Sequence, residues 1–208
     1  MKRLSILFAL LLVATVGFAQ SGEEVLGALS QRLGAMGSYC IDFELEMASA
    51  TATSKGYCQV DGPLYVIAIE GTGEVGGMRQ GFDGEKMWML DGIAKEVAYD
   101  NHNPQSHSLF VNPTRAFDFS AELFSVVALE ESQKGQWRVT LRPKAGVLDG
   151  IDAVSLSVDQ GSGLPTRLSY NMAGAEITIN ILSLRAEKFT SADFEVVVPQ
   201  GYEVIDFR

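Results

Sequence analysis

The chain has 208 residues, 47% of them hydrophobic, which is enough for one domain with a sizeable core. Its formal net charge of −10 argues against nucleic acid and against adhesion to anionic lipid headgroups. The same charge says nothing against binding the apolar part of a lipid.

In chain order, the first nineteen residues have the form of a secretory signal. Lys2 and Arg3 make a positive start, Leu4 to Val16 is apolar apart from Ser5 and Thr15, and Gly17-Phe18-Ala19 supplies small residues at the −3 and −1 positions. The apolar run is shorter than the ~20 residues of a membrane span. The residue after the expected cut is Gln20 rather than Cys, so no lipid attachment is expected. Residues 20–208 are therefore expected to form one domain, soluble in the periplasm. Losing Lys2 and Arg3 from the 16 basic residues leaves 14 against 26 acidic ones, a net charge of −12.

Ser21-Gly22-Glu23-Glu24 reads as a capping box, and Val25, Leu26, Leu29, Leu33 and Met36 then recur at helical spacing until Gly37. From Tyr39 the period changes to two: Ile41, Phe43, Leu45 and Met47 alternate with Asp42, Glu44 and Glu46. Further strands are expected at 56–60, 64–70, 78–82, 86–90 and 96–99, separated by glycine-rich or Asp-Gly turns. Asn112-Pro113 reads as a second helix start, leading into a short lid-like element at 114–119. Strands resume at 124–130, 136–142, 151–159, 164–171 and 176–186. The fold class is α+β: one antiparallel β domain with a few helices, its sheet large and strongly curved.

Cys40 and Cys58 are the only cysteines, an even number in an oxidising compartment. A hairpin centred on Ser49 would set them opposite one another on adjacent strands, with Cα atoms ~4.5 Å apart if the pair is not hydrogen-bonded. A structural disulfide is the expectation, on the outer face of the sheet.

Signals for chemistry are weak. Gly71-Thr72-Gly73-Glu74-Val75-Gly76 matches a dinucleotide-binding pattern, but no helix follows to hold a pyrophosphate. His102 and His107 share a loop with Asp100, at best a poor metal site. There is no nucleophile elbow, and the carboxylates alternate with apolar residues as solvent faces do. No enzyme, metal or cofactor is expected. Apolar side chains, by contrast, crowd one sheet face. Phe43, Leu45, Tyr65, Ile67, Trp88 and Phe117 are too many for a flat sheet packed on one short helix. They form either a filled core or the lining of a concave face for an apolar ligand. Met47, Met78, Met87 and Met89 would add adaptable surface if they face inward.

The order of these features resembles the outer-membrane lipoprotein carrier family of the LolA type. The stretches that carry the likeness are "YCIDFELEM", "DGPLYVIAIE", "FDGEKMWMLD", "KEVAYD", "NPTRAFDF", "WRVTLRPK", "GLPTRLSY" and the tail "TSADFEVVVPQGYEVIDF". The resemblance implies an incomplete antiparallel barrel, covered by helices, around a hydrophobic cavity that Phe43 helps to line. It also implies the partners: the acyl chains of lipoproteins, an inner-membrane ABC-type release complex and an outer-membrane acceptor, with the carrier a monomer. A periplasmic lipid- or peptide-sensing module on the same scaffold is the alternative. One departure stands out: that family places a basic residue before the proline matched by Pro63, where this chain has Gly62.

Overall fold

The computed structural model describes residues 21–47, 53–71, 77–106, 108–109, 112–117, 119–120, 122–133, 135–172 and 174–208. The expected signal segment, most of the glycine-rich pattern and His107 lie outside them.

The capping box forms as expected. Ser21 Oγ accepts from the Glu24 amide at 3.1 Å, and the Ser21 amide donates to Glu24 Oε2 at 2.9 Å. Helix α1 (Gly22–Met36) follows, burying Val25, Leu26, Leu29 and Leu33, and Gly37 ends it in the left-handed region at φ +66°.

Six strands come next: β1 (Ser38–Met47), β2 (Ser54–Asp61), β3 (Leu64–Ile69), β4 (Met78–Phe82), β5 (Met87–Asp91) and β6 (Glu96–Asp100). A 3₁₀ turn (Pro113–Phe117) leads to β7 (Phe124–Gln133), β8 (Gln136–Pro143), β9 (Ile151–Asp159), β10 (Pro165–Met172) and β11 (Ala175–Ala186). A second 3₁₀ turn (Ser191–Phe194) precedes β12 (Glu203–Asp206). Past the glycine-rich pattern the described chain resumes at Gly77 and enters strand β4, not a helix.

The twelve strands among the described residues form one open sheet, ordered β12-β6-β5-β4-β3-β2-β1-β11-β10-β9-β8-β7. Every pairing is antiparallel except β12 with β6, which is parallel. The sheet is curled. One cluster of buried side chains joins α1 to strands from β3 round to β7, and that stretch of sheet would be about 34 Å wide if flat. A helix about 10–12 Å across reaches both ends of it only if the sheet wraps around the helix. The result is an incomplete barrel with α1 and the turn Pro113–Phe117 on its concave side.

The convex side carries a smaller cluster. Val66, Trp88 and Phe194 are fully buried there, packed with Tyr57, Leu64, Leu90, Tyr99, Phe189 and Val196. The C-terminal segment supplies three of these residues and so acts as a strap over the back of the sheet. Trp88 Nε1 donates to the Phe194 carbonyl at 2.8 Å.

The expected disulfide is absent, and the register explains why. Cys58 pairs with Ile41 and Cys40 pairs with Gln59, so the hairpin is shifted by one residue from the symmetric arrangement. Facing residues share a side of the sheet, which puts Cys58 in the concave core and Cys40 on the convex face near Asp42. Both are free thiols. The symmetric register would set Lys55 opposite Phe43 and turn Tyr57 and Gln59 into the core. The observed one sets Gly56 there, and the Phe43 ring lies over it; a Cβ on Gly56 would meet Phe43 Cζ at 2.6 Å.

Reduction is therefore expected to leave the mass of the protein unchanged, and both cysteines should alkylate in denaturant without reductant. In the native state they should react slowly. Burial pushes the Cys40 thiol up to about 11 and the Cys58 thiol higher still, which suppresses the reactive thiolate. A gain of two hydrogens on reduction would overturn the register argument.

Candidate binding site on the concave face

Strand parity divides the apolar residues singled out in the sequence. Phe43, Leu45, Tyr65, Ile67 and Phe117 belong to the concave cluster, the two phenylalanine rings 5.9 Å apart between centroids. Trp88 does not. It pairs with Gly81 on the convex face, where the missing side chain leaves room for the indole. On β5 the inward positions are Met87 and Met89, which pair with Phe82 and Gln80. All four residues 87–90 are apolar, so no alternation marks which face each takes.

The concave face has two unlike ends. Toward one, Met47 (43%) and Met78 (42%) stand well exposed, and Met89 (41%) is exposed at mid-strand beside Gln80. The register puts them on the same side as Phe43, Ile67 and Ile69, with half-buried Leu45, Ile67 and Ile69 leading inward from them. Exposed methionines on a concave apolar surface make a soft, deformable lining.

The other end is a latched mouth. A cleft of about 490 Å³ lies between Leu33, Tyr39, Val60, Arg115, Phe117 and Phe119. A neighbouring one of about 250 Å³ is lined by Tyr65, His102, Pro104 and Asn112 and shares Val60, Gly62, Thr114 and Arg115 with the first. The turn Pro113–Phe117 crosses this mouth, and polar bonds tie it down on either side. Arg115 Nη1 donates to the Val147 carbonyl at 3.2 Å and Nη2 to the Pro104 carbonyl at 3.3 Å. Asn112, read from the sequence as a helix cap, instead donates its amide to the carbonyls of Asn103 (3.0 Å) and Ser106 (2.8 Å).

Gly62 fits this arrangement. With φ at +58° ahead of Pro63, it makes the two-residue β2–β3 loop of a type that needs glycine first. A basic residue there would be strained. The basic group at the mouth is supplied by Arg115, which the sequence reading did not single out; its place in an Asn-Pro turn rich in aromatics is the signal that could have found it.

His102 stacks on Phe82, ring centroids 4.1 Å apart, with Tyr65 at 6.3 Å. Its Nδ1 is buried with no partner among the described residues, and burial holds its pKa below the ordinary 6.5. Burial also raises the Tyr65 hydroxyl to about 12. Both groups are neutral at pH 7, as an apolar mouth requires. No metal-binding cluster of His, Cys, Asp or Glu occurs among the described residues. Nor is any described helix long and apolar enough to cross a membrane.

No protein-family model and no curated protein matches the sequence. Among solved structures, an uncharacterized conserved protein from Thermus thermophilus aligns with TM-score 0.57 at 12% identity, over 90% of this chain and 99% of that one. A LolA superfamily protein from Nitrosomonas europaea aligns with TM-score 0.45 at 8% identity, over 85% and 98%. The Mycobacterium tuberculosis lipoprotein LppX aligns with TM-score 0.45 at 12% identity, over 82% and 100%. At these identities the likeness is one of fold. The shared fold is a half-barrel, a curled open sheet with a helix against its concave face.

Two outcomes follow from the mouth. Arg115→Ala removes both guanidinium bonds and should destabilise the fold by about 2 kcal/mol, about 1 kcal/mol for each bond. It should also raise the fluorescence of a bound hydrophobic dye, because the mouth loosens; unchanged dye binding would mean that Arg115 is no latch. For His102, the native state resists protonation and the unfolded state does not. Its contribution is complete above about pH 6.5 and is lost as pH falls from there toward the depressed native value. The loss of stability between about pH 7.5 and about pH 5.5 should therefore be smaller in His102→Phe than in the parent, as urea titrations at the two pH values will show.

Proposed function

We propose that this protein is a periplasmic carrier that holds the acyl chains of lipoproteins against its concave face. On this reading it is exported, cut after Ala19, and moves as a soluble monomer. It receives lipoproteins from an inner-membrane ABC-type release complex and passes them to an outer-membrane acceptor. Phe43, Leu45, Tyr65, Ile67 and Phe117, with the inward methionines, are the proposed lining.

The observation that carries this reading is that Met47, Met78 and Met89 are left exposed on the concave side of a strongly acidic chain. An acyl chain of about fifteen methylenes, at ~0.8 kcal/mol each, resists water by roughly 12 kcal/mol. A lipoprotein with such chains does not cross an aqueous gap alone at a useful rate. A soft lining hides the chain without gripping it as a close-fitting pocket would, and a carrier must also release its load.

The methionines make a better test than Phe43, whose 2% exposure means that a charge there would unfold the core. Met78→Glu combined with Met89→Glu should leave the fold intact, since both side chains already meet water. It should lower lipoprotein release from inner-membrane vesicles by about tenfold or more, one charge against hydrocarbon being worth at least that factor. Mass spectrometry of the gently purified parent should find acyl chains, and the double variant should lack them. Release unchanged in a folded double variant would overturn the assignment.

A further inference from the structure

The convex face carries a second concavity, of about 390 Å³, which the proposed acyl site does not use. Tyr57, Leu90 and Tyr202 form apolar walls, Arg79 is part of the lining, and exposed Glu70 stands at its edge. Arg79 points to this side because β4 alternates: its cross-strand neighbours are Ala68 and Leu90, both apolar. The guanidinium carbon lies 5.6 Å from the centroid of the Trp88 ring. Trp88 is itself fixed, its ring against Gly81 and its Nε1 bonded to the Phe194 carbonyl. The cation is therefore held against a rigid aromatic plate.

Arg79 is electrostatically out of place. The chain has 26 acidic residues against 16 basic ones, yet Arg79 takes part in no ion pair among the described residues. Its Nε is buried and has no hydrogen-bond partner there. A guanidinium N–H removed from water without an acceptor is costly, and a native structure that keeps one calls for a reason. One unpaired arginine in an aromatic-walled pocket matches a carboxylate, which takes a planar pair of N–H donors. A phosphate dianion fits poorly, because a single cation faces it and Glu70 repels the second charge.

We propose that this pocket binds a small organic monocarboxylate with an apolar or aromatic body. The carboxylate bonds to Arg79, and the body packs between Tyr57, Leu90 and Tyr202. The site lies on the opposite side of the sheet from the acyl-binding face and stands or falls separately from it.

Phenylacetate is a suitable probe, with phenylacetamide as its uncharged counterpart. Calorimetric titration should give saturable one-to-one binding of phenylacetate, accompanied by a change in Trp88 emission in a Trp137→Phe background. Arg79→Gln and the amide should each bind at least about tenfold more weakly, as expected for loss of a charge-assisted bond. Tyr202→Ala, which leaves the cation in place, should weaken phenylacetate and phenylacetamide alike. Absence of saturable binding, or equal affinity for acid and amide, or for parent and a folded Arg79→Gln, would overturn the proposal.

Discussion

The contact between the Phe43 ring and Gly56 fixes the register of the first hairpin, and most of the molecule follows from that register. A side chain at 56 would collide with the ring, and a shift of one residue would bring Lys55 into the core. β1 lies between β2 and β11 and is the seam between the early and late halves of the sheet. Its parity therefore sets the inward face on both sides: Cys58, Val60, Tyr65 and Ile67 in one direction, Ile179, Leu168 and Leu156 in the other. The two thiols end up on opposite faces for the same reason.

The elements that could be read from sequence are those whose signal is local. The capping box at Ser21 and Glu24, the alternation from Ile41 to Met47 and the Asn-Pro turn need only neighbouring residues, and each lies where expected. What escaped depended on contacts far apart in the chain. Trp88 sits in a run of four apolar residues, so only its pairing with Gly81 and its bond to the Phe194 carbonyl reveal the convex side. Strand β12 is four residues long and pairs in parallel with β6, from which it is separated by most of the second half of the chain. The disulfide expectation failed by one residue of register, a quantity that the pairing of side chains decides and the spacing of two cysteines does not.

The strap formed by the C-terminal segment has a structural consequence of its own. A strongly curled open sheet leaves a convex face that water would otherwise wet, and Val66 and Trp88 on that face are apolar. Phe194 covers them, and β12 adds a parallel edge to β6. Both faces of β3 are thereby packed, the concave one against the turn Pro113–Phe117 and the convex one against Ser191–Phe194. The middle of the half-barrel is packed on both faces, while Met47, Met78 and Met89 remain exposed among the described residues.

That division bears on how a filled core can take up a guest. Phe43 and Phe117 are in contact and buried, so a chain entering from the mouth must part them and lift the turn that carries Phe117. Four hydrogen bonds from Arg115 and Asn112 hold that turn, worth about 1 kcal/mol each and about 4 kcal/mol together. Parting the phenylalanines exposes no apolar surface if the guest itself replaces the lost contact. One acyl chain, with roughly 12 kcal/mol to gain on leaving water, exceeds the cost of the latch by a wide margin. The latch is still strong enough to keep the mouth shut when no chain is present, at odds of about a thousand to one for 4 kcal/mol. For the carrier role proposed above, the same displacement that breaks four polar bonds would bury a far larger apolar surface, so such a mouth would stay closed in water and open for hydrocarbon.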